Sequence, residues 1–523
     1  MKKIIKKPIE NPIKKPVKNL DRSTDKDTGK NPAKNAGRNP DKETDKKIVQ
    51  KSVRKFIQIT IFGILFAVLY VFLGVVISYK KQPDVSAEYQ SAFCVGDCYG
   101  DSAIAERACI IEDNEEALYE RLRMIAQAKE RVILSTFEFR SDESGKDVLA
   151  ALLAAAKRGV KIQILADGAT AFLRMDRNAY FYALAASENV EIKIYNRVNL
   201  LKPWKSMGRL HDKYVIVDDW LYLLGGRNTY DYFLGDNGYK NYDRDVLVYS
   251  GASKEKDDKG DGSLCQLEAY FASIWELEEC SVFSCKDMEQ AETARRELES
   301  RFEKLKKEYP FLLEKADYRE MTFEVNKITL LSNPIHVYAK EPTLFYSLIE
   351  IMKSAKGSVM IHTPYIICND WMYESFREVC DGNPNTSLFT NSAANNGNPF
   401  GASDYLKNKG RLLDTGLTVY EYEGGVSYHG KSVLMGERLS AVGSFNMDMR
   451  SVYLDTELML VIDSKGLNQQ LRENMRAYEA QAAKAIDEKE YEIPEGVERQ
   501  KLGKKKERML KALKLVNWFR FLM

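Results

Sequence analysis

The sequence predicts an α/β protein whose second half repeats the first, preceded by one transmembrane helix. The strongest observation is a duplicated motif, in which His211-Asp-Lys213 and Gly225-Gly-Arg-Asn228 are matched by His429-Gly-Lys431 and Gly443-Ser-Phe-Asn446. In both copies the lysine lies two residues after the histidine, and the first glycine lies fourteen residues after the same histidine. Strand and helix patterns alternate around each copy, and residues 56–79 form one uncharged apolar run. A repeat at fixed internal spacing indicates a duplicated structural unit.

Residues 56–79 are predicted to cross a membrane. They contain no charged residue over 24 positions. At about 1.5 Å per residue, a helix of this length reaches roughly 36 Å and exceeds a hydrocarbon core of about 30 Å. A cleaved signal peptide fits less well because the run begins far from residue 1, although Ser86-Ala-Glu88 keeps cleavage open.

The segment before this run is strongly basic. Residues 1–55 carry 18 Lys and Arg against 7 Asp and Glu, with few aromatic residues. Such a composition predicts a disordered tail, because little apolar surface is available for burial. Only Lys80 and Lys81 follow the apolar run directly. The positive-inside rule therefore predicts a cytoplasmic tail, a single pass through the cell membrane and an extracytoplasmic location for the region that carries the duplicated motif.

The eight cysteines suit that location. Cys94 and Cys98 lie in a predicted linker, residues 80–114, and Cys280 is five residues from Cys285. An even number of cysteines outside the cytoplasm favours disulfides of open connectivity. Zinc is the weaker alternative because no histidine lies near the close pairs, and buried unpaired thiols are a third.

Strand and helix patterns define the two halves, residues 115–250 and 326–490. The first half contains helical, strand, helical and strand patterns at residues 115–130, 131–137, 147–158 and 160–166. The second contains helical patterns at 342–355 and 372–380 and strand patterns at 358–362, 387–390 and 418–422. Strands joined by helices through short turns predict parallel pairing in a layered α/β fold.

Two further segments flank the second half. Residues 251–325 are interpreted as a helical insertion, and the charged stretch 288–315 within it as a solvated arm or insertion. Residues 491–523 form a basic amphipathic segment. It suits either a membrane interface with anionic headgroups or packing on the folded domain, and the sequence leaves both open.

The motif resembles that of the phospholipase D superfamily. Its flanks, Gly225–Phe233, Tyr242–Val246 and Gly443–Ser451, are similar to the bacterial cardiolipin synthase branch. The resemblance runs from about residue 115 to residue 486 and implies a duplicated phospholipase D-like fold, with two mixed-sheet halves related by a pseudo-two-fold axis. One position departs from the pattern, because Gly436 stands where the second motif carries an aspartate matching Asp218.

The duplicated residues suit phosphodiester chemistry. Cleavage needs one unprotonated histidine to attack phosphorus and one protonated histidine to give a proton to the leaving oxygen. His211 and His429 can take these two roles near neutral pH. Lys213 and Lys431 can hold the nonbridging oxygens as charged donors, so that no metal or cofactor is expected. In an extended strand, residues two apart share a face, which would present each imidazole beside its ammonium group.

Further residues are predicted to complete the site. Asn228 and Asn446 would add neutral donors, and Asp243 and Glu457 would orient the histidines, with Asp245 as an alternative to Asp243. The remaining motif positions are interpreted as structural: Asp218, Gly225, Gly226, Gly443 and Ser444. His362 could contact substrate or serve in the core.

The resemblance implies attack by His211, a covalent phosphatidyl-histidine intermediate and acid and base roles for His429. The resulting hypothesis is a membrane-anchored phosphatidyltransferase of the cardiolipin synthase type that joins glycerophospholipids. The alternative is a hydrolase with the same machinery, either a phospholipase D or a phosphodiesterase acting on nucleic acid. A nucleic-acid partner is not expected, because the folded region contains no concentrated basic stripe interleaved with aromatic residues. A binding protein without catalytic activity is a third possibility.

Overall fold

The structure is a computed structural model that describes residues 40–251 and 262–523, with only the backbone for residues 40–48. Most of the predicted tail, residues 1–39, lies outside the described residues. Helix α1 spans Pro40–Tyr79. The expectation of disorder is therefore wrong for residues 40–55, because Pro40 is tolerated in a first helical turn and the Lys-, Glu- and Gln-containing sequence after it favours helix.

Within α1, residues Val49–Tyr79 form a 31-residue stretch with a mean hydropathy of 2.7. This stretch is long and apolar enough to cross a bilayer and includes the predicted span. Residues 67–523 form one compact unit.

The first half follows a short connecting segment that contains α2 (Ala87–Ala92) and a 3-10 turn at Val95–Cys98. Its elements are β1 (Arg107–Ile111), α3 (Asn114–Gln127), β2 (Arg131–Thr136), α4 (Glu143–Lys157), β3 (Lys161–Asp167), α5 (Gly168–Arg174), α6 (Ala179–Ala185), β4 (Val190–Tyr195), β5 (Tyr214–Val217), β6 (Leu221–Gly225), β7 (Asn241–Tyr242), β8 (Asp245–Tyr249), α7 (Ser263–Trp275), β9 (Cys280–Val282), α8 (Met288–Glu308), α9 (Tyr318–Met321) and β10 (Phe323–Glu324).

The second half begins directly after β10. Its elements are β11 (Lys327–Ser332), α10 (Thr343–Ser354), β12 (Val359–His362), β13 (Ile366–Ile367), α11 (Asp370–Gly382), β14 (Thr386–Asn391), α12 (Pro399–Leu413), β15 (Thr418–Tyr422), β16 (Ser427–Tyr428), β17 (Ser432–Met435), β18 (Leu439–Gly443), β19 (Met447–Asp448), α13 (Met449–Tyr453), β20 (Leu458–Asp463), α14 (Lys465–Glu479), β21 (Ala482–Ala485), β22 (Tyr491–Glu492) and α15 (Lys504–Leu513), followed by a 3-10 segment at Lys514–Leu522.

The two large sheets repeat one topology. Their strand orders are β10-β1-β8-β6-β5-β2-β3-β4-β9 and β11-β20-β18-β17-β12-β14-β15-β21-β22. Three central strands are parallel in each, β2-β3-β4 and β12-β14-β15, and the described neighbours around them are antiparallel. The predicted duplicated α/β fold with mixed sheets is confirmed.

A shared apolar core joins the halves. It contains strand residues from both sheets, including Ile216 and Val246 from the first and Leu434, Val442 and Leu460 from the second. Each of these side chains is almost completely buried. This core lies on one face of each sheet and also contains residues of α7 and α14. The opposite faces pack against other helices, α3, α4, α6 and α8 in the first half and α10 and α11 in the second.

The described part of the predicted insertion, residues 262–325, does not form a separate arm. Strand β9 pairs with β4 at the edge of the first sheet. Helix α8 buries Ala291, Ala294, Leu298 and Phe302 in the core of the first half. These positions recur every three or four residues, so the charges that predicted solvation occupy the opposite face of the same helix.

The predicted linker also differs from the structure. Strand β1, within residues 80–114, pairs with β8 in the first sheet. Seven of the eight cysteines, Cys94, Cys98, Cys109, Cys280, Cys285, Cys368 and Cys380, are free thiols in the structure. The favoured disulfides are therefore not formed among these seven. Cys98, Cys109, Cys368 and Cys380 are buried, where a thiol packs as a small apolar side chain.

Leu298→Ala tests whether α8 is part of the folded first half. Leu298 is 1% exposed, and truncation of a buried leucine costs about 2–5 kcal/mol. We expect the thermal unfolding temperature of the full chain in detergent to fall by several degrees. Arg296→Ala is the control, because its side chain is 77% exposed on the same helix. Equal effects of the two variants would contradict the packed arrangement.

Candidate active site

Both His-x-Lys segments lie immediately before a strand rather than within one. His211 and Lys213 precede β5, and His429 and Lys431 precede β17. Each lysine folds back so that its ammonium group donates to the backbone carbonyl of its own motif histidine. The prediction that the pairs lie inside strands is therefore wrong, although both segments lead into the central strands of their sheets.

Short parallel pairings between the halves place each histidine. Strand β16, which ends one residue before His429, pairs with β7 of the other half, and the His429 amide donates to the Tyr242 carbonyl at 2.6 Å. In the same way, Leu210 forms a parallel bridge with Thr456. The His211 amide donates to the Thr456 hydroxyl at 3.1 Å. Each histidine therefore follows a segment that is bonded to the opposite half.

These pairings cross the histidines with the carboxylates. His211 Nδ1 lies 2.8 Å from Glu457 Oε1, and His429 Nδ1 lies 2.6 Å from Asp243 Oδ2. The sequence identified both acids but left open which histidine each one serves. The acid of one half serves the histidine of the other. When Nδ1 carries a proton and donates it to the carboxylate, the lone pair of Nε2 is free for chemistry.

Both imidazoles line one cavity of about 560 Å³. Their side chains are only 12% and 16% exposed for His211 and His429. The ring of Phe137 packs edge-on against His211 and that of Phe233 against His429, with ring centroids 5.3 and 5.0 Å apart. Asn228 also lines the cavity. The two halves thus contribute their motif histidines to a single, largely dehydrated opening.

Burial and the neighbouring ammonium groups keep both rings neutral. Burial, with Lys431 second, lowers the pKa of His429 to about 4 although Asp243 opposes the shift. Burial, with Lys213 second, lowers the pKa of His211 well below its usual value. A neutral imidazole can act as a nucleophile or accept a proton, so both rings begin in a competent state.

The two carboxyl groups have opposite shifts. Burial raises the pKa of Glu457 to about 8, against Lys213 and the hydroxyls of Ser444 and Ser451. Burial would also raise the pKa of Asp243, but Lys431 and His429 together bring it below its ordinary value. Near pH 7, His429 therefore faces an ionised acid, and His211 faces an acid that retains its proton.

The two ammonium groups are buried behind the histidines. Lys213 is 2% exposed and Lys431 is 1% exposed. Burial lowers the pKa of Lys213 to about 8 and also lowers the pKa of Lys431. Lys213 therefore keeps most of its charge at neutral pH, and an anionic phosphoryl group would compensate for the buried charge of either ammonium group.

The glycines of the first motif make room for carboxylates. A Cβ at Gly226 would lie 2.3 Å from Asp243 Oδ1, and one at Gly225 would lie 2.1 Å from Asp245 Oδ1. In the second half, a Cβ at Gly443 would lie 2.0 Å from the Leu458 carbonyl. The next residue there, Ser444, donates to Glu457 Oε2. Ser444 is therefore a direct partner of the carboxyl group as well as part of the turn.

The two asparagines differ in their surroundings. Asn228 Oδ1 accepts from the Glu138 amide at 3.3 Å, leaving its amide group beside the cavity. Asn446 Nδ2 donates to the Ser451 hydroxyl at 3.3 Å, while its buried Oδ1 has no partner among the described residues. Ser451 itself donates to Glu457 Oε1 at 2.6 Å. Sequence reasoning gave Ser451 no role, although it closes the segment whose flanks carry the resemblance.

Other candidate residues are placed elsewhere. Asp245 accepts from Arg121 and Arg227 in the interior rather than from a histidine. His362 is buried, stacks on Phe389 and bonds to Tyr428, as expected of a core histidine. In the described part of the chain, no group of three or more His, Cys, Asp or Glu side chains has metal-site geometry.

Asp218 and Gly436 occupy matching turns. Asp218 accepts from the amides of Lys129, Glu130 and Arg131, as expected of an anchoring residue. Both residues have left-handed backbone angles, with φ of 49° and 63°. The second half therefore keeps the turn without its carboxylate, at the end of β17 opposite to Lys431.

The C-terminal segment packs on the second half. Arg520 forms an ion pair with Asp404, and Lys506 donates to the carbonyls of Ala394 and Asn396. Asn396 lines the cavity, so this segment supports one wall of it. Leu515 and Trp518 remain exposed, and Trp518 stacks against Phe72 of α1. The C-terminal segment therefore packs on the folded domain, one of the two alternatives that the sequence left open, and also presents apolar side chains on its outer face.

Comparison with known proteins places this geometry in context. The family model described as "Cardiolipin synthase, PLD-like domain" matches residues 122–275 and 348–478, more than half of the chain. An uncharacterized protein of Helicobacter pylori (strain ATCC 700392 / 26695) is 28% identical over 422 residues, covering 72% of this chain and 80% of its own. Cardiolipin synthase A of Erwinia tasmaniensis is 26% identical over 391 residues, covering 73% and 71%.

A solved structure has a similar fold. Phosphatidylserine synthase of Haemophilus influenzae Rd KW20 superimposes with a TM-score of 0.56 and 17% identity. The match covers 83% of this chain and 99% of that protein. The fold with two duplicated sheets therefore also occurs in a solved structure.

The crossed pairing predicts how the pKa of His429 responds to substitution. We expect its ring to titrate near pH 4 in NMR spectra of histidine-labelled full chain in detergent. Asp243→Asn should lower this pKa further, because the negative charge that stabilises imidazolium is removed. Lys431→Met should raise it towards 6.5, because a repelling positive charge is removed.

The four histidines are assigned by single His→Gln replacements. Asp219→Asn is the control, because this carboxylate is 69% exposed and should leave His429 unchanged. A His429 ring that titrates near 6.5, or that ignores both neighbouring substitutions, would contradict the crossed arrangement.

Proposed function

Because the chain belongs to the cardiolipin synthase, phospholipase D-like family, we propose that it is a membrane-anchored phosphatidyltransferase that joins two glycerophospholipids. One observation carries this proposal: two neutral histidines, each oriented by the other half's carboxyl group, line one cavity in front of two buried ammonium groups. A phosphodiester between them would meet a nucleophile on one side and a proton donor on the other.

The proposed reaction has two displacements. Binding of the anionic phosphodiester favours the uptake of a proton from solvent by His429. His211 Nε2 then attacks the phosphorus of phosphatidylglycerol, the bond to glycerol breaks, and His429 gives this proton to the departing oxygen. The product on the protein is phosphatidyl-histidine. A hydroxyl of a second phosphatidylglycerol then loses its proton to His429 and attacks the phosphorus, which releases diphosphatidylglycerol and restores His211.

The carboxyl groups support this assignment of roles. His429 faces the acid whose pKa is lowered, Asp243, and an ionised partner stabilises the imidazolium that an acid and base must form. His211 faces Glu457, which retains its proton near pH 7 and gives imidazolium less support. A ring that stays neutral suits nucleophilic attack.

The surroundings favour a lipid over a polynucleotide. The described residues that line the cavity include Tyr230, Tyr232, Phe233 and Tyr365 but no Lys or Arg side chain. A channel for nucleic acid would need cations along the backbone path. The apolar stretch of α1 supports an anchor in the membrane, and exposed Leu515 and Trp518 support contact with its interface. We further propose a cytoplasmic N-terminus and an extracytoplasmic site.

His211→Ala tests the nucleophile. Purified full chain in detergent is incubated with labelled phosphatidylglycerol, and the lipid products are separated. We expect diphosphatidylglycerol from the wild type and at least about a 10³-fold loss in the variant, as for removal of a catalytic nucleophile. Phosphatidic acid as the sole product would instead indicate hydrolysis. His336→Ala is the control, since this histidine lies outside the cavity.

The pH dependence tests Lys213. The pKa of Lys213 is lowered to about 8, so its ammonium group is present below that pH and lost as the pH rises through it. Turnover should therefore fall above about pH 8, because an uncharged amine no longer balances the phosphoryl oxygens. In Lys213→Arg the maximal rate should be lower, but the alkaline fall should move beyond pH 10. A fall that stays near pH 8 in the variant would assign it to Glu457 and contradict the role of Lys213.

A further inference from the structure

The two halves differ at one turn, and the first half shows what that turn can hold. The amides of Lys129, Glu130 and Arg131 converge on the carboxylate of Asp218, with distances of 3.0, 2.8 and 2.9 Å. Three consecutive backbone amides that point to one place form a concave anion site. In the first half, the protein supplies the anion from its own chain.

The second half has a related turn without that anion, in which Gly357 has a φ of 104° and the Lys356 carbonyl lies 2.6 Å from where a Cβ of Gly436 would be. The Gly436 amide donates to the Ser358 carbonyl at 3.0 Å, as the Asp218 amide donates to the Arg131 carbonyl. Lys356, Gly357 and Ser358 therefore correspond to the three residues whose amides bind Asp218. In the described part of the chain, none of these three amides donates a hydrogen bond to a protein acceptor. Gly436 carries no side chain that could supply one.

This turn opens into a large basic cavity. The cavity has a volume of about 1110 Å³ and is lined by Lys356, Arg438, Lys465, Arg472 and Arg476. Of these five cations, only Arg438 is paired with a carboxylate in the described structure, that of Asp463. One acid, Glu437, lines the cavity and is exposed.

Arg472 is the central cation of this cavity. Its side chain is nine-tenths buried, and its Nη2 donates to the Gly436 carbonyl and to Asn468 Oδ1. Nη1 lies 3.4 Å from the Ser358 hydroxyl. Burial, followed by the charge of Arg476, lowers the pKa of Arg472. A buried guanidinium without an anionic partner is costly and favours binding of an external anion.

We propose that this cavity binds a phosphate group. Its oxygens would accept from the Arg472 guanidinium, with the side chains of Lys356 and Arg476 lining the same cavity. Four cations without carboxylate partners and the large volume fit a multiply charged tetrahedral anion better than a single carboxylate. The phosphate can come from free inorganic phosphate or from the headgroup of a phosphomonoester lipid.

This site is separate from the catalytic cavity. Gly436 follows the last residue of β17, and Lys431 precedes its first. Four residues at about 3.3 Å each put the two ends of the strand roughly 13 Å apart. The proposal therefore does not depend on the catalytic reaction.

Titration calorimetry with inorganic phosphate tests the site in the detergent-solubilised full chain. Phosphate can also enter the catalytic cavity, so the data are fitted to two sites. We expect Lys356→Gln to weaken one of them at least about tenfold, because a charge-assisted contact is lost. The matched control is Lys129→Gln, the same position in the half where Asp218 already occupies the amides, and it should change neither site.

A double variant, Lys356→Gln with Arg476→Gln, and Arg472→Gln should each abolish the second site. Both residues of the double variant are exposed, so it keeps the fold even where Arg472→Gln lowers stability. Displacement of bound phosphate by phosphatidic acid in mixed micelles would identify a lipid source, and its absence a free-phosphate source. A wild type with one phosphate site, or a second site equally affected by Lys356→Gln and Lys129→Gln, would overturn the proposal.

Discussion

The crossed contacts between each imidazole and the carboxyl group of the opposite half are the constraint on which the candidate site depends. His211 reaches Glu457, and His429 reaches Asp243, only because short parallel pairings join the halves beside each contact. Neither half alone contains a complete histidine and acid pair. The shared core thus holds both histidine and acid pairs at hydrogen-bonding distance, since a shift of one sheet against the other would separate both pairs at once.

The charges around these contacts form a closed group. Two buried ammonium groups and two buried carboxyl groups surround the rings, and burial dominates the pKa shifts of Lys213, Lys431 and Glu457. Water is a poor competitor in such a location, so an incoming phosphoryl group would interact strongly with Lys213 and Lys431. The partners of the two carboxyl groups make the site asymmetric, because Lys431 and His429 outweigh burial at Asp243 but burial prevails at Glu457. Asp243 is bonded to Lys431 and His429 and stays ionised, whereas Glu457 keeps its proton near pH 7.

Duplication followed by divergence explains where the halves differ. Gly226 leaves room for the shorter Asp243, whereas the corresponding Ser444 donates a hydroxyl to the longer Glu457. At the far end of the sheet, Asp218 binds three amides and Gly436 leaves their counterparts open to a basic cavity. Differences near the cavity thus adjust its electrostatics, and the difference at the turn leaves a second place for an anion.

The sequence alone determined the duplication, the motif residues, the apolar helix and the two acids, because these are recorded in spacing and composition. It predicted solvation for α8, whose charged residues occupy the face opposite to a row of buried residues. It also predicted disorder for residues 40–55, where the structure has the beginning of α1. It also placed the His-x-Lys segments within strands, although they lie just before them. Only the tertiary structure decided which acid serves which histidine, and that Ser451 supports Glu457. These contacts join residues distant along the chain, and their geometry depends on how two sheets pack, which no local pattern records.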